Sequence, residues 1–197
     1  FAARGSQRTM RFVAFGAEEL GLRGSVHYIQ ELKAADKAQR TAAGFTPGHD
    51  RTELERHLLC VNIDVQGALL GHNHAEILGP AELTAAVSLL AKERGPVFDV
   101  REDVMSSDGT PLSEGGIPSA SFARAGATTS YLHTPGDIVD YLGPAPLAEQ
   151  GQFIEIFLER YVAGARAFPF ERRVPEEQKK VREYFEKRLR IDYYRRE

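Results

Sequence analysis

The sequence has a single cysteine, Cys60, in 197 residues. That excludes a disulfide scaffold, and it excludes a thiolate metal cluster built by this chain alone. No apolar run approaches the ~18 residues that a membrane-spanning helix needs. Basic charge is not in excess either: 25 Lys and Arg face 28 Asp and Glu, a formal net charge of −3. A bulk-basic nucleic-acid binder is therefore excluded. Eighteen Gly and ten Pro are near ordinary usage, which excludes collagen-like and low-complexity classes. There is no internal repeat. The first residue is Phe1 rather than Met, and a strand-like run follows at Arg11.

What is present is a globular composition, 42% hydrophobic and 27% charged, enough for one domain with a core. Arg11 to Gly16 is short, apolar and β-branched or aromatic, which predicts a buried strand. Leu22, Val26, Ile29 and Leu32 recur at three- and four-residue steps, which predicts an amphipathic helix over 21–35. The polar stretch from Lys33 to Arg56 reads as a surface loop with short helical pieces. Leu58 to Val65 reads as a second buried strand. Further short strands are expected at 75–78, 97–100 and 119–123, and a helix at 80–94 behind Pro80. A long amphipathic helix is expected at 147–168 and a charged one at 174–190. Alternating strands and helices argue for an α/β fold with a largely parallel sheet. The Arg-, Lys- and Glu-rich stretch 171–197 reads as a solvated helical extension with spaced charge pairs.

Three elements carry candidate chemistry. Glu18 and Glu19 follow the first strand and precede a helix, at the carboxyl end where open α/β sheets place ligands. Adjacent surface glutamates are common, so this segment alone is more often a solvated helix start than a site. Asp64 ends the second apolar strand in Asn62-Ile63-Asp64. Asp is disfavoured in strands and costly to bury without a partner; capping of the turn at Gly67 is the plainer reading. His133 sits in the loop Tyr131-Leu132-His133-Thr134-Pro135-Gly136-Asp137, with Asp137 and Asp140 close enough in sequence to orient its ring. Glu, Asp and His together form an oxygen and nitrogen donor set that suits Zn²⁺ and, less specifically, Mn²⁺ or Co²⁺. The other histidines, His27, His49, His57, His72 and His74, show no ligand spacing. His72 and His74 form a His-x-His pair, the pattern of a metal clip, but in a Gly-Asn turn the pair reads more readily as exposed.

In this order, these elements resemble peptidase family M28, a family of zinc aminopeptidases. The resemblance runs through residues 8–25, Asn62-Ile63-Asp64, Ser107-Asp108-Gly109-Thr110-Pro111-Leu112, Gly116-Ile117-Pro118 and His133-Thr134-Pro135-Gly136-Asp137. It implies a three-layer α/β sandwich, a mostly parallel mixed sheet flanked by helices, and two zinc ions. By motif it implies Glu18 as general base, Glu19 and His133 as ligands to one zinc, and Asp64 as a ligand to the other. Asp137, Asp108 and Tyr131 fall on second-shell or substrate-side positions. The implied substrate is a peptide with a free N-terminus, and the implied setting is secreted, periplasmic or membrane-anchored.

Three departures from that pattern stand out. The family's remaining ligands, a His and a bridging Asp, precede the Glu-Glu block, and residues 1–11 contain no His, Asp or Glu. Gly109 stands where the family commonly has His. Leu132 stands where a Tyr often directly precedes the late His; Tyr131 is one residue earlier, which in an extended segment points to the opposite side. The sequence therefore reads as the later part of a metallopeptidase catalytic domain over 1–170, with a charged helical extension over 171–197. With three of five ligands, it is expected to bind metal weakly and to be weakly active or inactive by itself, with an exposed sheet edge. The alternatives are a non-catalytic binding module on the same scaffold, or a related carboxypeptidase or glutaminyl-cyclase type of metalloenzyme. Cys60, in a predicted strand, reads as an inert core thiol.

Overall fold

The computed structural model describes residues 1, 3–171 and 175–189. Four strands form one sheet: β1 (Cys60–Ile63), β2 (Gly71–Leu78), β3 (Phe98–Arg101) and β4 (Ser119–Gly126). Their order is β1-β4-β2-β3. β1 runs parallel to β4 and β2 parallel to β3, while β2 and β4 are antiparallel. The sheet is mixed and flanked by helices α1 (Arg23–Thr41), α2 (Glu53–Arg56), α3 (Ala81–Arg94), α4 (Gly109–Glu114), α5 (Pro144–Leu158) and α6 (Pro175–Tyr184). The expected α/β class is the observed one.

Strand residues alternate between faces. Ala120 and Phe122 of β4, with Ala75 and Ile77 of β2, pack against Leu83, Val87 and Leu90 of α3 and Phe153 and Phe157 of α5. Phe98 of β3 stacks on Phe153 with ring centroids 4.3 Å apart. Each such fully buried side chain contributes about 1.5–3 kcal/mol. The opposite face is covered by α1, α4 and α6. Here Gly109 approaches the sheet so closely that a Cβ would lie 2.8 Å from Ser121 Oγ. A side chain at 109 would have to displace Ser121 Oγ, and Gly109, one of the three sequence departures, avoids that contact.

Several elements differ from expectation. Arg11–Gly16 is not a strand. Among the described residues its backbone has no ladder partner, and Phe12 and Val13 are exposed. It is held by side chains instead: Phe15 packs edge-on against Tyr28, and Arg11 donates to Tyr28 Oη and Glu53, each at 2.8 Å. A strand needs a neighbour to satisfy its backbone as well as an apolar composition. The edge strand β1 is likewise open on its far side, with Ile63 56% exposed, as expected for the sheet edge. α1 runs to Thr41 through residues expected in a loop; these polar positions are good helix formers, supported by an Asp36–Arg40 pair. β2 starts at Gly71, inside an expected turn. α4 carries no helical signal in the sequence, because Gly, Thr, Pro and Ser are weak helix formers. The 147–168 helix ends at Leu158 and passes into a π turn over Glu159–Ala163. The charged C-terminal helix is not wholly solvated: Val181 and Phe185 are fully buried. Residues 174 and 190 of that expected helix, and 191–197 beyond it, lie outside the described residues.

Candidate active site

The Glu18–Leu22 segment is a tight turn before α1. Glu18 O accepts from Gly21 N at 3.0 Å and from Leu22 N at 2.8 Å, and Ala17 O accepts from Arg23 N at 3.2 Å. Gly24 N closes back on Gly16 O, where a Cβ on residue 24 would sit 2.5 Å from that oxygen. Only glycine permits this approach. The two carboxylates thus precede the helix, whose first turn contains no acid.

His133 lies 114 residues further on, yet its Nε2 is 3.0 Å from Glu19 Oε1 and 2.8 Å from Glu19 Oε2. Both side chains are about two-thirds exposed, at 64% and 66%. An exposed pair of this kind contributes little stability. Asp64 continues the β1–β4 ladder through its amide, which donates to Phe122 O. Its Oδ2 accepts from Ser107 Oγ at 2.9 Å, and Ser107 in turn accepts from Asn62 Nδ2. Ser107 is fully buried. Asp108 accepts from Ser25 Oγ.

Glu18 is half-buried. Its carboxyl is raised above the ordinary range by burial first, then by the negative charges of Glu19, Asp64 and Asp108. Asp108 is also raised, chiefly by burial, with the Ser25 hydrogen bond opposing. The turn, the end of β1 and the late His loop therefore bring Glu18, Glu19, Asp64, Asp108 and His133 into one electrostatic neighbourhood.

Two other expected residues make contacts of their own. Tyr131 stacks on Tyr141 with centroids 5.2 Å apart and ring planes at 20°. Asp137 is exposed; its amide closes a turn onto Thr134 O, and it is Glu19 that accepts the hydrogen bond from the His133 ring. Among the described residues, no group of three or more His, Cys, Asp and Glu is arranged to hold a metal ion. Glu19 and His133, a carboxylate and an imidazole in direct contact, are of the donor types that zinc takes, and Asp64 is oriented separately by Ser107.

Sequence reasoning missed two features. Ser107 stands directly before Asp108 in a recognised block, and its value lay in that adjacency. The backbone strain had no sequence signal. Among the described residues four non-glycine residues adopt left-handed φ: Ala17 (57°), Leu22 (56°), Val65 (51°) and His133 (63°). One is the candidate ligand itself, two adjoin Glu18 and Asp64, and the fourth closes the Glu18 turn. For β-branched Val65 this conformation is a marked outlier. Strain of this kind concentrates at functional sites.

The sequence model of peptidase family M28 matches residues 1–157. The chain belongs to peptidase family M28. Aminopeptidase YwaD of Bacillus subtilis (strain 168) is 30% identical over 155 residues, covering 76% of this chain and 31% of that protein. BSAP, a zinc aminopeptidase from Bacillus subtilis, aligns over 84% of this chain and 39% of its own, with 26% identity and a TM-score of 0.62. An aminopeptidase from Aneurinibacillus sp. strain AM-1 shares the fold, with a TM-score of 0.59 and 22% identity over 80% of this chain and 34% of its own. The chain thus spans about a third of the length of the relatives it matches.

Proposed function

We propose that these residues form the later part of an aminopeptidase site, which removes N-terminal amino acids from peptides by metal-dependent hydrolysis. The observation that carries this reading is the convergence of Glu19 and His133, 114 residues apart, beside a carboxyl, Glu18, whose affinity for protons is raised by burial. Family membership supports the reading, as do relatives described as aminopeptidases.

Glu19 and His133 would hold one zinc, and Asp64, oriented by Ser107, would face a second. When bound, zinc polarises the scissile carbonyl and acidifies a coordinated water. Glu18 takes the proton from the attacking water as general base and passes it to the leaving amine as general acid. A carboxyl raised toward neutrality suits both halves of that transfer. The acidic surroundings of Glu18, Glu19, Asp64 and Asp108 favour a substrate with a free, protonated amino terminus. Leu69, Tyr131, Leu132, Ile138, Val139 and Leu142 are exposed apolar residues in and near the loop that carries His133. Leu69 N bonds Tyr141 O at 2.9 Å and so ties its own segment to the later one. Such exposed apolar residues suit apolar peptide side chains. Within this group Tyr131 stacks on Tyr141.

The test is Glu18→Gln in the protein with its full catalytic unit, assayed on free and N-blocked aminoacyl substrates. The variant should keep its metal, measured by elemental analysis, and lose about 10²–10⁴-fold in turnover. Normal turnover by Glu18→Gln would refute the base assignment. Cleavage of N-blocked peptides instead would point to the carboxypeptidase type, and metal binding without any hydrolysis to a binding module.

A further inference from the structure

Helix α6 lies beyond residue 157, where the family match ends. It is docked against the two segments that build the candidate site. Val181 and Phe185 are fully buried in one cluster with Leu22 and Val26, which close the Glu18 turn and begin α1. On the other side α6 reaches α4. Gln178 Nε2 donates to Glu114 O at 3.0 Å, and Arg182 Nη2 donates to Glu114 Oε1 at 3.2 Å. Glu114 is 2% exposed, and its second carboxylate oxygen accepts from Lys33 of α1. A buried carboxylate persists only when paired, so Glu114 ties α1, α4 and α6 together at one point. The other end of α4, at Gly109, follows directly on Ser107 and Asp108. These are the residues that hold Asp64 and Ser25.

We propose that α6 is a positioning clamp for the metal side of the active site. It fixes α4 through Arg182 and Glu114 and the Glu18 turn through Val181 and, in the turn that continues the helix, Phe185, and so holds Ser107 where it orients Asp64. Arg182 and Glu114 are positioning residues: they touch neither substrate nor metal. The inference rests on reading Asp64 as a metal ligand. The charge-rich composition of this stretch concealed the role, since its fully buried apolar side chains among the described residues are Val181 and Phe185, four apart.

The experiment compares the full chain with Arg182→Ala, Arg182→Lys and the double variant Val181→Ala/Phe185→Ala. Lys187→Ala, at an exposed position of the same helical stretch, serves as control. Three readouts are taken: amide exchange, reaction of Cys60 with a thiol reagent, and Co²⁺ affinity from the metal's visible absorption. Cys60 reports on α4 because it packs in one cluster with Leu112 and Ile117. Releasing α6 should speed exchange of the Thr110, Gly115 and Gly116 amides about tenfold or more, with α3 amides unchanged as evidence of a retained fold. Cys60 should react faster in parallel. Co²⁺ affinity should fall by about tenfold in the double variant, the lower end of what lost outer-shell support costs a metal site. Arg182→Ala should give a smaller loss that Arg182→Lys restores, and Lys187→Ala no change. Unchanged exchange in residues 107–116 would overturn the clamp. So would faster exchange with unchanged Co²⁺ affinity, which would make α6 a purely structural support. Failure of the metal reading is separately visible, as absence of Co²⁺ binding by the unsubstituted chain, and would take this inference with it.

Discussion

The two sides of this molecule are built to opposite rules. Between the sheet and helices α3 and α5, aromatic and aliphatic side chains fill a layer from which water is excluded: Phe122 and Phe157 are fully buried and Phe153 nearly so. At the carboxyl end of β1 the chain exposes Glu19, His133, Tyr131 and Leu132, places like charges together, and holds four non-glycine residues in left-handed φ. The first region lowers the free energy of the fold. The second raises it, and persists because the first is secure. A site that must bind cations and peptides has to keep donors unsatisfied and apolar groups uncovered, and each of those costs stability.

The contrast can be broken most severely on its stable side. Phe122→Ala should cost about 3–5 kcal/mol, through lost transfer energy and a cavity among Phe98, Phe153 and Phe157. Urea unfolding measures it; a loss under about 1 kcal/mol, the ordinary cost of a point substitution, would show that the layer is not the main store of stability. On the strained side the usual sign reverses. Ala17 is exposed and left-handed, so Ala17→Gly should stabilise by about 0.5–1 kcal/mol, whereas Ala→Gly in a regular helix destabilises by a similar amount. A destabilised Ala17→Gly would mean that no strain is held at the Glu18 turn. Phe12, 81% exposed, is the smallest case: Phe12→Ser should change stability by no more than about 0.5 kcal/mol while improving solubility.

Titration separates the regions in a second way. Burial raises Glu18, so the folded chain holds that proton more tightly than the unfolded chain does. The resulting stability is complete below the ordinary glutamate range and is lost as pH rises through the raised value. Glu18→Gln cannot lose it. In chelator, the stability of the variant relative to the parent should therefore increase from acid toward neutral pH, as followed by unfolding midpoints. A constant difference would show that Glu18 is not desolvated. Cys60, on the sheet face under α4, is pushed up to about 12 by burial, with the charge of Asp108 adding to it. Compared with an ordinary thiol, its thiolate population at pH 8 should be lower by about three orders of magnitude, and its reaction with a disulfide reagent correspondingly slow until the protein unfolds.

Much of the stable region was legible in the sequence. Leu83, Val87 and Leu90 repeat at helical spacing, Pro80 marks the start of α3, and the apolar runs at 58–65 and 119–123 became paired strands. Arg11–Gly16 failed because strand formation depends on a neighbour, which composition does not reveal. The site residues were legible as motifs: Glu18, Glu19, Asp64, Asp108 and His133 do converge. What the sequence concealed was what holds them. Ser107 works through a long-range hydrogen bond, the left-handed residues carry no compositional mark, and α6 hides two buried residues among charges.

The central claim is that Glu19 and His133 act on one cation. A double-substitution cycle in zinc affinity tests it most directly, using the full chain, Glu19→Ala, His133→Ala and both together, followed by calorimetric titration. Each single variant should lose about tenfold or more, and the double variant should lose less than the product of the two, because ligands of one ion are coupled. Zinc affinity unchanged in both single variants would contradict the account.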